Sequence, residues 1–338
     1  MTSTPVLAVL FAVAAVVSLL ASAMLVTRLE RVCTRLGFSA ALLGLAAALA
    51  ADTPEITSAV TALANGQRDV GTGVILGSNV FNLAALIGLG AVVAGGIALH
   101  RRVVILEGSV ALWLAGVTLT VVTGFIAPGA GLALALLVLV PYVYVAAVHP
   151  SGRLSIPAPA GLRTWLAEAV TEEEQEISAA VQAGRGGPRD AAVAALALAV
   201  VLAASITMER SGTTVGARLG VPGAVTGGIV LAAVTSLPNA VAAIFLARRG
   251  QAAATLSEAL NSNTLNVVAG LLIPAVVLGG AQLGSGLRTA IWYAVLTLAT
   301  VMLALAGRGV SRRSGVLIML AYGVFAVTVI AAAAGAGG

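Results

Sequence analysis

Apolar runs of about 20 residues, each long enough to cross a bilayer, recur along nearly the whole chain. They cover roughly 5–26, 39–64, 71–97, 103–123, 129–148, 190–207, 222–247, 252–279, 287–306 and 314–335. Backbone polar groups inside hydrocarbon must be satisfied within each segment, so these runs are expected to be helices. The chain is 59% hydrophobic and 9% charged, against about 25% charged in soluble domains. The expectation is an all-α membrane protein with ten transmembrane helices.

The basic residues are all arginine. Arg28, Arg31, Arg35, Arg101, Arg102, Arg153, Arg163, Arg185, Arg189, Arg248, Arg249, Arg308, Arg312 and Arg313 follow odd-numbered spans. Only Arg68, Arg210, Arg218 and Arg288 fall on the other side. The positive-inside rule therefore predicts a multi-pass protein of the plasma (inner) membrane, with both termini outside and the long central loop in the cytoplasm. The net charge of +5 fits that topology and anionic membrane lipids, and no basic cluster marks a nucleic-acid surface. The N-terminus has no positive region before its first apolar run, so no cleaved leader is expected. The single cysteine, Cys33, excludes an internal disulfide.

Inside the second span, "AADTPEITS" places Asp52 and Glu55 beside Pro54. An ionisable residue at that depth is functional by default. The stretch returns 184 residues later: Gly44 falls on Gly228, Pro54 on Pro238, Gly66 on Gly250 and Gln67 on Gln251. Ser78, Asn79 and Asn82 fall on Ser262, Asn263 and Asn266. Seven coincidences at one offset indicate duplication. Five spans per half is odd, so the second copy enters the membrane inverted. Inverted repeats with interrupted spans at matching positions are the pattern of secondary transporters, with the site at the repeat interface. Pro54 and Pro238 remove helical hydrogen bonds, and "GSN" and "NSN" are expected to interrupt the following spans.

These residues resemble the alpha repeats of the calcium/cation antiporter superfamily, of the sodium/calcium exchanger type. "TSLPN" and "GSNVFN" are near-literal matches to its motifs, and "ADTPE" and "NSNTLN" are variants. The resemblance implies ten helices in two inverted five-helix repeats, with interrupted helices at a central ion site. The expected organisation is a first repeat over 1–148 (alpha repeat about 39–97), a partly helical cytoplasmic linker over 149–189, and a second repeat over 190–338 (alpha repeat about 222–279). The resemblance implies cation ligands at Glu55, Ser78, Asn82, Thr235, Ser236, Asn239, Ser262 and Asn266. Asp52 joins them as an acid where the family has a hydroxyl. Pro54, Gly77 and Pro238 are structural positions at the helix breaks, and Asn79 and Asn263 are expected to join helices. Glu258, four and eight residues before Ser262 and Asn266, is a candidate for ion entry.

The implied activity is exchange of calcium, or another cation, against sodium or protons by alternating access, with cations as partners and no organic cofactor. Asn239 stands where the family has a glutamate. Glu55 alone would leave a divalent ion under-compensated in low dielectric, whereas Glu55 with Asp52 would balance it. Calcium transport therefore requires Asp52 to face the site. If it does not, monovalent cation/proton exchange is the better reading. A cation channel and a weakly transporting relative are the remaining alternatives. An intramembrane enzyme is disfavoured, because no His lies mid-span and no H-E-x-x-H motif occurs.

Glu107 and Glu209 are expected at solvated span edges, and His100 and His149 at the membrane boundary. "GLRTWLAEAVTEEEQEISAAVQ" in the linker is expected to be a connecting helix lying along the membrane. Its acidic run lacks the Gly-containing loop of an EF-hand.

Overall fold

The computed structural model describes residues 2–148, 159–180, 184, 186–279, 286–307 and 309–335. His149, Arg153, Arg185 and Arg308, placed on loops above, lie outside these residues. Among the described residues, eight helices cross a membrane singly by length and apolarity, and two bent pairs bring the spans to ten.

The first half comprises α1 (Thr4–Leu36), the pair α2 (Ala40–Ala51) and α3 (Thr53–Ala64), α4 (Arg68–Ala94), α5 (Arg101–Val122) and α6 (Pro128–Val148). The linker carries α7 (Ala160–Ala180). The second half comprises α8 (Pro188–Arg218), the pair α9 (Gly223–Thr235) and α10 (Leu237–Arg248), α11 (Ala254–Val277), α12 (Leu287–Ala306) and α13 (Arg312–Gly335). Strands β1 (Gly96–Ala98) and β2 (Gly309–Ser311) pair antiparallel, Ile97 opposite Val310, and tie the two halves together. They lie on the side of the bundle that carries the linker, here called the linker face. The opposite side is the far face.

Burial sorts the helices into a centre and a rim. In α4 and α11, 89% and 72% of the spanning window is buried, against 17–33% in α1, α6, α8 and α13. A helix enclosed on all sides belongs to the middle of a bundle, so the two motif-bearing helices form the core. The helix α8 runs on to Arg218, past the apolar stretch 190–207, because it lies along the 33-residue α1. Ser18 and Ser205 meet between them at 3.3 Å.

Two expectations are corrected here. The "GSN" and "NSN" stretches do not break their spans. Both helices continue, and instead widen to π-helix over Leu83–Leu89 and Asn266–Leu272, the form of interruption that recurs at functional sites. The linker helix does more than lie along the membrane: it buries Ala169, Val170, Glu173 and Ile177 against the bundle, packing on α2, α5, α6 and α11.

Candidate functional site

Asp52 sits at the joint where α3 leaves α2 at 49°, and Ser236 sits at the joint where α10 leaves α9 at 41°. Pro54 and Pro238 stand in the first turns of α3 and α10, where a missing N–H costs nothing. Neither proline can donate to the carbonyl four residues back, so the helix turns there. Each bend aims a short polar run into the core, facing the polar faces of α4 and α11.

The structure brings the sequence-predicted site residues together. Asp52, Glu55, Ser78, Asn79, Asn82, Thr235, Ser236, Asn239, Ser262, Asn263 and Asn266 are all buried. Asn239 Nδ2 donates to Asp52 Oδ1 at 3.0 Å and to Asn82 Oδ1 at 3.1 Å. Ser262 Oγ donates to Asp52 Oδ1 at 3.0 Å, and Ser236 Oγ donates to Glu55 Oε1 at 2.8 Å. The pairing crosses the repeat. By the 184-residue offset Ser236 is the counterpart of Asp52, and Asn239 that of Glu55. Each acid is held by the counterpart of the other.

Asn79 and Asn263 sit on the local two-fold axis. Asn79 Nδ2 donates to the Asn263 carbonyl at 3.1 Å, and Asn263 Nδ2 returns the bond to the Asn79 carbonyl at 3.0 Å. Asn82 donates to Asn263 Oδ1 at 3.3 Å, and Asn266 to Asn79 Oδ1 at 3.2 Å. Interhelical amide bonds of this kind hold spans in register. Ser78 and Thr235 donate to backbone carbonyls of α9, which leaves their lone pairs free.

After these bonds are counted, four buried oxygens have no partner: Asp52 Oδ2, Glu55 Oε2, Asn239 Oδ1 and Asn266 Oδ1. Buried polar atoms are normally satisfied. Four unsatisfied acceptors in one cluster, two of them on carboxylates, form a place that attracts cations.

One cavity reaches the two joints. A cavity of about 340 Å³ opens from the linker face between α1, α2, α10 and α11, and reaches Ala51 and Pro238 at the two joints. Glu258 lines it, together with Glu30 of α1. A second cavity of about 700 Å³ opens on the far face among Asp69, Gly223, Arg288 and Trp292, and contains none of the site residues. Between it and the site, α4 crosses α9 backbone to backbone. A Cβ on Gly73 would meet Gly228 N at 2.8 Å, and one on Gly77 would strike the Gly228 carbonyl.

Two acids depart from expectation. Glu107 is 2% exposed and Glu209 is fully buried, and neither carboxyl has a hydrogen-bond partner. Neither lies at a span edge: Glu107 is more than a turn inside α5 and is covered by α7, and Glu209 is enclosed where α8 packs on α1 and α3. His100 remains half exposed and pairs with Glu176 at 2.7 Å. Tyr293 was not anticipated. It is a fully buried phenol whose hydroxyl lies near Asn79. A tyrosine in the middle of an apolar run was its only signal in the sequence.

The model of the family described as sodium/calcium exchanger protein matches residues 6–149 and 190–331. The chain belongs to this family. The sodium/potassium/calcium exchanger 4 proteins of Mus musculus and Homo sapiens are 30% identical to it over 123 residues. That match spans 33% of this chain and only 20% of the length of those relatives. Solved structures share the fold. The H+/Ca2+ exchanger CAX superposes with a TM-score of 0.70 at 15% identity, covering 97% of this chain and 86% of that one. Native YfkE gives 0.63 at 18% identity, covering 95% and 92%. The sodium-calcium exchanger NCX_Mj gives 0.60 at 14% identity, covering 95% and 98%. The architecture is thus that of the exchangers, with ten spans in two inverted five-helix repeats.

Proposed function

We propose that this protein is a secondary-active antiporter exchanging calcium for sodium or protons, with the cation held by Asp52 and Glu55. The observation that carries the reading is the orphaned oxygen on each of these two buried carboxylates, beside the free amide oxygens of Asn239 and Asn266. Calcium takes six to eight oxygens. Those four, with hydroxyls from Ser78, Thr235, Ser236 and Ser262 and the Asn82 amide, supply the number. Asp52 takes hydrogen bonds from Asn239 and Ser262 and so faces the cluster, and two carboxylates balance one divalent charge without an acid at position 239.

Obligate exchange follows from the same pair. Two uncompensated charges in low dielectric are too costly to carry through a conformational switch. The empty site therefore waits until calcium, sodium or protons neutralise it. Asn79 and Asn263 lock the two halves in register, and Glu258 draws cations into the linker-side cavity. By the arginine distribution the linker face is cytoplasmic, both termini are outside, and the membrane is the plasma (inner) membrane. The open cavity then makes this an inward-facing state. The functional units are the repeats 1–148 and 190–338, joined by the linker.

The test is labelled-calcium uptake into proteoliposomes under an outward sodium gradient and then an outward proton gradient. Wild-type uptake is expected to follow one of the two. Asp52→Asn and Glu55→Gln each strip one charge from a buried site, a loss of about 3 kcal/mol, and should lower uptake at least 100-fold. No calcium flux under either gradient would overturn the calcium reading in favour of monovalent cation/proton exchange.

A further inference from the structure

The linker helix α7 contains acids that the cation site does not use. Its Glu173 is fully buried and faces Glu107 of α5, whose two carboxyl oxygens have no hydrogen-bond partner. Among the described residues no three His, Cys, Asp or Glu side chains are arranged to hold a metal ion. What two facing carboxyl groups without a counter-ion can hold is a proton.

A count of hydrogens at Tyr142 supports the same conclusion. The Tyr142 hydroxyl lies 2.9 Å from Glu173 Oε1 and 3.2 Å from Asn261 Oδ1. Both are acceptors when Glu173 is ionised, and a phenol has one hydrogen. If Glu173 carries a proton, it donates to the Tyr142 oxygen and Tyr142 donates to Asn261. With the Asn261 amide oxygen facing Tyr142, as it does here, the protonated acid satisfies the whole chain from α7 through α6 to α11.

The position of α7 gives this chain a mechanical role. Asn261 is the counterpart of Gly77, and Gly44 that of Gly228. On the far face those counterparts touch and the crossing is shut. On the linker face the cavity separates Asn261 from Gly44, and Ile177 of α7 stands in the gap, with a methyl 3.2 Å from where a Gly44 Cβ would be.

We propose that α7 is a proton-operated wedge: with Glu173 protonated and donating to Tyr142 it holds the linker-side crossing of α2 and α11 open, and loss of that proton to water frees the wedge so that the crossing can close. Burial lifts the Glu173 carboxyl to about 7, so the exchange of states falls near neutral pH. The groups around it favour release once the proton leaves. On α7 itself Glu172, Glu174 and Glu176 are like charges. From α5, Arg102 is engaged by Glu168 and Glu172, at 2.9 and 2.6 Å, and His100 by Glu176. From α11 come only Ser257 and Asn261, since Glu258 lines the cavity, and α2 contributes no titratable group. The effect on transport rests on the exchange reading; the wedge itself does not.

The test is amide hydrogen exchange of the full chain in lipid nanodiscs, in choline buffer without sodium or calcium, corrected for intrinsic pH dependence. Amides of residues 169–178 should exchange at least tenfold faster at pH 8 than at pH 6, with a midpoint near 7. Glu173→Gln, which keeps a donor for Tyr142, should retain the pH 6 protection at pH 8. Protection that is equal at both pH values in the wild type, or a pH dependence that survives Glu173→Gln, would overturn the proposal. Because no transported cation is present, absence of calcium flux with this titration intact would count against the exchange reading alone.

Discussion

The crossing of α4 over α9 and the crossing of α11 over α2 are the same structure built twice, and they stand in opposite states. At the first, Gly73 and Gly77 lie against the Gly228 backbone, and nothing passes. At the second, Ser257 and Asn261 take the two glycine positions and line an open cavity. Glycine lets backbones approach as no other residue does, whereas a serine and an asparagine hold them apart by a side chain. The unequal states are written into four residues. Under the proposed exchange, alternating access would mean exchanging which crossing is shut, and the two shut states would not be equally tight.

This contrast can be attacked with one reporter. Val70 lies against Gly223 at the mouth of the far-face crossing. A cysteine there, in a Cys33→Ser background, reacts with an impermeant maleimide only when that crossing opens. The largest change is expected from Gly77→Ala, whose Cβ has only backbone to meet. Overpacking by about 2 kcal/mol should raise labelling at least tenfold and cut exchange by a similar factor, and unchanged labelling would show that the glycine contact is not the seal. Next comes Asn261→Gly, which gives the second crossing the residue of the first. It should help the linker side close and raise far-face labelling about threefold, near 0.6 kcal/mol; a decrease would reverse the assigned direction. The smallest effect belongs to Gly44→Ala. Its neighbour is a flexible Ile177 methyl at 3.2 Å, so labelling should stay within about twofold, and a large change would mean that the linker-side crossing is packed as tightly as the far one.

The sequence made the bends and the ligand cluster legible for a physical reason: proline and acid inside an apolar run violate local rules, and duplication repeats the violation at a fixed distance. Glu107 and Glu209 were misread because hydropathy locates span edges from nearby charge. Glu107 follows the Arg101–Arg102 pair and Glu209 precedes Arg210, so both looked solvated. Their burial depends on α7 and on the pairing of α8 with α1, which are tertiary contacts with no one-dimensional trace. The π-helical widening beside Asn82 and Asn266 was hidden similarly, since "GSN" and "NSN" mark weak helix without specifying how it yields. Tyr142 and Tyr293 gave no pattern, because a phenol's partner is a matter of where the chain folds.

The crossed pairing of Asp52 with Asn239 and of Glu55 with Ser236 also bears on ancestry. Two copies of the first half, assembled as a dimer, would confront four carboxylates without the joint donors Ser236 and Asn239. Two copies of the second half would offer donors with no acid at the joints. Each half has kept what the other has lost, so the fusion that joined them can no longer be undone into a symmetric pair.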